Sequence, residues 1–143
     1  MKLNFRLLML IVVLLVLPLS ACAPAAAPEE EEKPVTLEPI AGTELNRLTL
    51  TEKAAERLGL ETAPVVAQEG QVVIPYAALL YDPSGQAWVY VNVGPLAFER
   101  HEITVDSILG DQVILSKGPE AGANVVTLGA TELYGSEEEF EEE

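Results

Sequence analysis

Short β-branched segments separated by turn residues are the feature of this sequence that most restricts how it can fold. The segment Gln86–Val93 alternates cleanly, with Trp88, Tyr90 and Asn92 on one face and small apolar residues on the other. Segments of this kind predict strands at Thr62–Val66, Gln71–Ile74, Gln86–Val93, Leu96–Val105, Gln112–Leu115 and Asn124–Leu128. The expected fold is mainly β: a small β-barrel or β-roll of about six strands with one short docked helix.

The helix and one tight turn are predicted from their end signals. Leu48–Leu60 is typical of a short helix that Thr49 or Thr51 can cap and that Gly59 can stop in the left-handed conformation. A helix this short is not stable alone in water, so we expect it to dock on the sheet. Residues 82–85, Asp-Pro-Ser-Gly, are typical of a type I turn and should close a hairpin.

The first 21 residues are typical of a bacterial export signal. Lys2 and Arg6 precede the apolar run Leu7–Leu17, and Pro18 ends that run. The run is shorter than the roughly 20 residues that a membrane-spanning helix needs, but it has the length of a signal-peptide core. Residues 1–21 are therefore predicted to be a cleaved signal peptide.

The residues that follow this proline resemble a bacterial lipobox: Leu19, Ser20, Ala21 and Cys22. The resemblance implies cleavage before Cys22 and lipid on its sulfur, with acyl chains such as palmitate. Membrane lipid on Cys22 would tether the chain to the extracytoplasmic face of a cell membrane, in the periplasm or at the cell surface.

Composition divides the remaining chain into three parts. Residues 22–47 are rich in Ala, Pro and Glu and are predicted to be a linker. Residues 48–134 hold the predicted β domain. Residues 135–143 carry six glutamates and are predicted to be a disordered, solvating tail, with a basic partner or weak divalent-cation binding as the alternatives.

The charge balance excludes some partners. Without the first 21 residues, the chain keeps 6 basic residues against 23 acidic ones, a net charge of −17. Such a surface repels phosphate backbones and anionic headgroups, so we expect no nucleic-acid binding and no attachment to membranes through a basic patch.

Residues able to carry chemistry are few. His101 is the only histidine and lies in a predicted strand, where a structural role is favoured. Asp82, Asp106 and Asp111 fall at turns, where aspartate bonds to the local backbone. Cys22 is the only cysteine and is consumed by the lipid. We therefore expect no enzymatic activity, no cofactor and no metal site.

The order of segments from residue 73 onward resembles one family. A strand ends in Ile74-Pro75, Ala78 and Leu79 follow, and after the turn comes the aromatic strand Trp88–Val91. This order resembles the closing segment of periplasmic adaptor subunits (membrane fusion proteins) of RND efflux pumps. The series continues through residues 98–105, 111–116 and 118–130, and residues 50–65 resemble the opening of heavy-metal-type adaptors.

The resemblance implies a chain reduced to the membrane-proximal domain of an adaptor. Residues 65–66 lead directly into residues 71–75, where a full adaptor inserts its lipoyl halves, helical hairpin and β-barrel. In full adaptors this domain faces the membrane transporter. By position, the resemblance gives five contact candidates: Tyr76, Tyr81, Trp88, Arg100 and His101, although ordinary sheet packing or solvent exposure explains each of them as well.

These observations predict a lipid-anchored docking module that acts by contact with an efflux or transport permease. Two alternatives stay open from the residues alone. One is an extracytoplasmic lipoprotein that binds a small ligand or a cation, and the other is a structural envelope protein that has kept the adaptor fold without the pump.

The lipobox makes the first testable prediction. Cys22→Ser removes the sulfur that accepts the lipid, so we expect the variant to lose labelling by radioactive palmitate and normal signal cleavage. A variant that is processed and fractionates with membranes like the parent chain would contradict the prediction.

Overall fold

A computed structural model of the chain describes residues 33–141. The predicted signal peptide, the lipobox and Cys22 lie outside these residues.

The strands are β1 (Val35–Pro39), β2 (Asn46–Leu50), β3 (Glu61–Pro64), β4 (Val66–Gln68), β5 (Gln71–Pro75), β6 (Leu80–Tyr81), β7 (Ala87–Gly94), β8 (Ala97–Glu102), β9 (Thr104–Leu109), β10 (Gln112–Lys117) and β11 (Asn124–Leu128). The helices are α1 (Glu52–Leu58), α2 (Ala130–Glu141) and a 3-10 turn at Tyr76–Ala78.

The strands form two antiparallel sheets. Sheet A has the order β1-β2-β8-β7-β11-β3, with the short β6 paired to one end of β7. Sheet B has the order β4-β5-β10-β9. Short connections join the consecutive pairs β1–β2, β4–β5, β6–β7, β7–β8 and β9–β10, which are therefore antiparallel, and the pairs between strands distant in the chain are antiparallel as well. The mainly β fold expected from the sequence is confirmed.

Strand β7 is buried on both of its faces. Val89 and Val91 point into a core closed by sheet B, whereas Tyr90 points into a second core beneath α1 and α2. The first core contains Val65, Ile74, Ala78, Ala87, Val89, Val91, Ile103, Val113, Leu115 and Val125. The second contains Val35, Leu48, Leu50, Ala54, Tyr90, Phe98, Val126, Ala130 and Leu133. The alternation predicted for this strand therefore separates two cores rather than a core from solvent.

The predicted end signals have their expected conformations. Thr51 caps α1 by accepting a hydrogen bond from the Ala54 backbone N–H at 3.2 Å, and Gly59 ends that helix with φ +61°. Between β6 and β7, Gly85 has φ +86°, and the Asp82 backbone oxygen accepts from its N–H at 2.9 Å. Local sequence sets these features because a cap or a turn needs only a few neighbouring residues.

The structure differs from the prediction in the described part of the predicted linker 22–47, residues 33–47, and in the first residues of the predicted helix. Val35–Pro39 is a strand, and Leu48 lies in β2, opposite Phe98 of β8. Val35 is 4% exposed and pairs with Leu50, so an apolar residue in a polar segment finds a buried position there. Pairing and burial within the sheet override the local preference of these residues.

The predicted strand Leu96–Val105 consists of two strands in different sheets. The chain leaves β8 in sheet A and enters β9 in sheet B at Ile103. Ile103 is 1% exposed, belongs to the core closed by sheet B and donates its backbone N–H to the Ala87 oxygen. One buried residue at the corner thus connects the sheets.

The prediction of a disordered tail at 135–143 is wrong for the part that the structure describes. α2 runs through Glu141, and Ala130 and Leu133 are buried in the second core. Glu137 is 0% exposed. The helix is set by tertiary contacts on one face, which the glutamate-rich composition did not indicate.

Gly129, at the start of α2, makes a testable prediction about this packing. Its φ is +87°, and an added Cβ would collide with Leu60 Cδ2. Gly42 has a similar φ, +84°, with open space around it. We expect Gly42→Ala to lower the free energy of unfolding by about 1–2 kcal/mol through backbone strain, and Gly129→Ala by about 1–3 kcal/mol more through the clash. Urea unfolding of both variants measures the difference, and equal losses would contradict the clash.

Candidate functional site

Arg100 lies in the second core, although it is a cation. It faces Tyr90 across the β7–β8 pair and points toward α2 because Phe98, two residues before it, points the same way into that core. Arg100 is 9% exposed. A guanidinium this deeply buried is tolerated only when it has anionic or aromatic partners.

Glu137 of α2 supplies the opposite charge. Arg100 Nε lies 3.3 Å from Glu137 Oε2, and Arg100 NH1 lies 3.9 Å from Glu138 Oε1. The phenol of Tyr90 donates a hydrogen bond of 2.5 Å to the same Glu137 Oε2. One buried carboxylate oxygen therefore joins a residue of β7, a residue of β8 and the second half of α2.

Two aromatic rings complete the surroundings of Arg100. Its Cζ lies 4.8 Å from the centroid of Trp88 and 5.0 Å from the centroid of Tyr134. Both distances are within the range of a cation–π attraction. We call Trp88, Tyr90, Arg100, Tyr134 and Glu137 the Arg100 cluster.

Asp82 holds Trp88 in place from the β6–β7 turn. Trp88 Nε1 donates to Asp82 Oδ2 at 3.0 Å, and the Ser84 hydroxyl donates to Asp82 Oδ1 at 2.7 Å. The Ser84 hydroxyl, followed by the Trp88 N–H, lowers the pKa of the Asp82 carboxyl to about 2. These hydrogen bonds favour the ionised carboxylate, so the support of Trp88 is complete above about pH 4 and is lost as the pH falls through about 2.

Burial raises the pKa of the Tyr90 phenol far above its usual range, and the hydrogen bond to Glu137 and the charge of that residue act in the same direction. Burial also raises the pKa of Tyr134, with the charge of Glu138 as the next cause. Both phenols are therefore protonated at neutral pH, and Tyr90 remains a hydrogen-bond donor to the carboxylate.

The structure separates the five contact candidates that the resemblance gave. Trp88 and Arg100 meet in the Arg100 cluster, where Arg100 also contacts the ring of Tyr134 from α2. Tyr76 and Tyr81 are each 52% exposed; Tyr76 begins the 3-10 turn after β5, and Tyr81 is the last residue of β6.

His101 lies on the opposite face of β8 from Arg100, because consecutive residues of a strand alternate. Its Nε2 is 3.6 Å from Glu99 Oε2, and Arg47 Nε donates to Glu99 Oε1 at 2.7 Å. His101 therefore belongs to a partly exposed charged row and is not part of the Arg100 cluster.

Tyr134 and Glu137 are the cluster members that the sequence interpretation missed. With Ala130 and Leu133 they follow the three- and four-residue spacing of one helix face, a signal that was present in the sequence. The surrounding glutamates concealed it, because composition alone indicates a solvated segment.

Within the Arg100 cluster, the other residues hold the carboxylate of Glu137. The guanidinium of Arg100 and the phenol of Tyr90 contact this carboxylate, and aromatic rings lie beside the cation.

Among residues 33–141, no group of three His, Cys, Asp or Glu side chains is arranged to hold a metal ion. In the same part of the chain, neither helix combines the length and the apolar character that crossing a bilayer requires.

Two short-stranded antiparallel sheets, with one apolar core closed by sheet B and a second beneath the helices, define a small β domain of the roll type. Residues 71–132 match the family described as RND MFPs, C-terminal permuted SH3 domain. The matched segment runs from β5 into the first turn of α2 and includes Trp88 and Arg100. The resemblance of this segment to membrane fusion proteins is thereby confirmed.

Curated proteins and solved structures gave no match to the chain. Residues 33–70 lie outside the matched segment, so the resemblance of residues 50–65 to the opening of heavy-metal-type adaptors stays a prediction.

The Tyr90–Glu137 hydrogen bond makes a testable prediction at high pH. The folded-state pKa of Tyr90 lies above the unfolded value, so its contribution to stability is complete below about pH 10 and declines above it, by at most about 1.4 kcal/mol per pH unit. We expect Tyr90→Phe to flatten this decline between pH 9.5 and 11 in urea unfolding. Tyr76→Phe, at an exposed phenol, serves as the control and should keep the parental slope. A parental slope in Tyr90→Phe would contradict the assignment.

Proposed function

We propose that this chain is a lipid-anchored, extracytoplasmic docking module that contacts a membrane transporter as the corresponding domain of an efflux adaptor does. The observation that carries the proposal is the match of residues 71–132 to the C-terminal domain of RND membrane fusion proteins. The module acts by protein–protein contact and performs no chemistry of its own.

The contact surface centres on Tyr76 and Tyr81. Both rings are half exposed, and four residues separate them, with Tyr76 directly after β5 and Tyr81 at the end of β6. Exposed tyrosines are typical of protein interfaces, because they bury a large area at little cost in conformational entropy. Arg100 is buried and Trp88 is half-buried, so Tyr76 and Tyr81 are the more accessible aromatic residues among the five candidates.

Attachment through Cys22 explains how such a module stays close to its partner. The predicted linker begins at the lipidated residue, and its prolines and glutamates favour extended conformations. The strongly acidic chain has no electrostatic attraction to anionic lipid. The lipid therefore sets the distance between the domain and the bilayer, and a transporter in the same bilayer is within reach.

Site-specific photocrosslinking tests the docking surface in the full-length chain. Benzoylphenylalanine in place of Tyr76 or Tyr81 should yield adducts with an integral membrane transport protein in membranes of the producing cell. The same group at Lys53, an exposed residue of α1, is the matched control. The proposal is contradicted if Tyr76 and Tyr81 yield no transporter adduct, or if Lys53 yields the same adduct equally well.

A further inference from the structure

The two halves of α2 are held to the domain in different ways. The first half places Ala130 and Leu133 in the second core and continues to Tyr134. After Gly135, Glu137 is buried, whereas Glu138 and Glu139 are exposed. Among the described side chains of this half, residues 136–139, Glu137 makes an ion pair and a hydrogen bond with the domain.

The sequence of the second half is unfavourable for a helix. Gly135 is among the least favourable residues in a helix interior. Glu138 and Glu139 lie near the C-terminal end, where the helix dipole repels negative charge, and α2 contains no basic residue that would offset them. The Ser136 hydroxyl donates back to the Glu132 carbonyl oxygen at 2.9 Å, a bond that often bends helices.

Packing does not require a glycine at position 135. An added Cβ would meet nothing within 4 Å, and the φ of Gly135 lies outside the left-handed range. Gly129 differs on both counts, since it has a positive φ and approaches Leu60 closely. The effect of Gly135 on the helix is therefore to ease bending between its halves.

Bending at Gly135 would expose the basic part of the Arg100 cluster. Glu137 and Glu138 would move away from Arg100, while the Trp88 ring would stay fixed by Asp82. The surface then left on β7 and β8 carries a guanidinium, the Tyr90 hydroxyl and an aromatic ring. These groups suit a carboxylate, because charge-assisted hydrogen bonds and a cation–π contact act together.

We propose that residues 136–141 open about Gly135 and uncover a carboxylate-binding site formed by Trp88, Tyr90 and Arg100. In the closed state the chain fills this site with its own Glu137. In the open state an acidic segment of a partner protein can occupy it. This site is separate from the contact surface at Tyr76 and Tyr81, and the inference does not depend on which protein that surface contacts.

Hydrogen exchange of the full-length chain tests the opening. Amides of residues 136–141 should exchange at least tenfold faster than those of β7. Gly135→Ala should slow them about fivefold, since alanine stabilises a helix interior by about that factor, whereas Glu137→Gln should accelerate them about tenfold or more. Glu139→Gln removes an exposed glutamate and should not accelerate them. If residues 136–141 exchange as slowly as β7, or if Gly135→Ala has no effect, the opening is disproved.

Peptide binding tests the carboxylate site. The probe is a synthetic peptide of residues 130–143, added to the full-length Glu137→Gln chain while the fluorescence of Trp88, the only tryptophan, is recorded. We expect a saturable change with this peptide and at least tenfold weaker binding of a matched peptide that carries the same Glu137→Gln change. No response, or equal responses to both peptides, would overturn the site.

Discussion

The burial of β7 on both faces is the constraint on which the rest of this structure depends. One face presents Val89 and Val91 to sheet B, and the other presents Tyr90 to the helices. A strand in this position needs cover on both sides, which sheet B provides on one side and α1 and α2 on the other. The chain must therefore change sheets within a few residues, and buried Ile103 marks the corner.

The second face carries the polar hydroxyl of Tyr90 and the charge of Arg100, so its cover cannot be purely apolar. A buried guanidinium without a partner would cost several kcal/mol, on the order of 3–5. Glu137 removes this cost and also fixes which face of α2 is buried. Buried ion pairs add little net stability compared with apolar packing, but they discriminate between alternative helix positions. We regard the Arg100–Glu137 pair as the interaction that sets the position of the C-terminal helix.

The adaptor-type domain thus combines two surfaces of different character. Tyr76 and Tyr81 are exposed beside the start and at the end of the segment from β5 to β6, whereas Arg100 is buried and pairs with Glu137 of the acidic helix. The matched family segment ends in the first turn of that helix, so Tyr134 and Glu137 lie beyond it. The proposed docking and the proposed opening of α2 therefore concern separate parts of the domain.

The sequence by itself determined the mainly β class, the turn at residues 82–85, the left-handed stop at Gly59 and the resemblance to membrane fusion proteins, because these depend on neighbouring residues or on the order of segments. Only the tertiary structure decided that Val35–Pro39 is a strand, that Leu96–Val105 divides at Ile103 and that Glu137 is buried. Each of these outcomes depends on a partner distant in the chain: Leu50, Ala87 and Arg100, respectively. The composition of a glutamate-rich segment predicts exposure to solvent. The burial of Glu137 depends instead on Arg100, a buried cation from a strand distant in the chain.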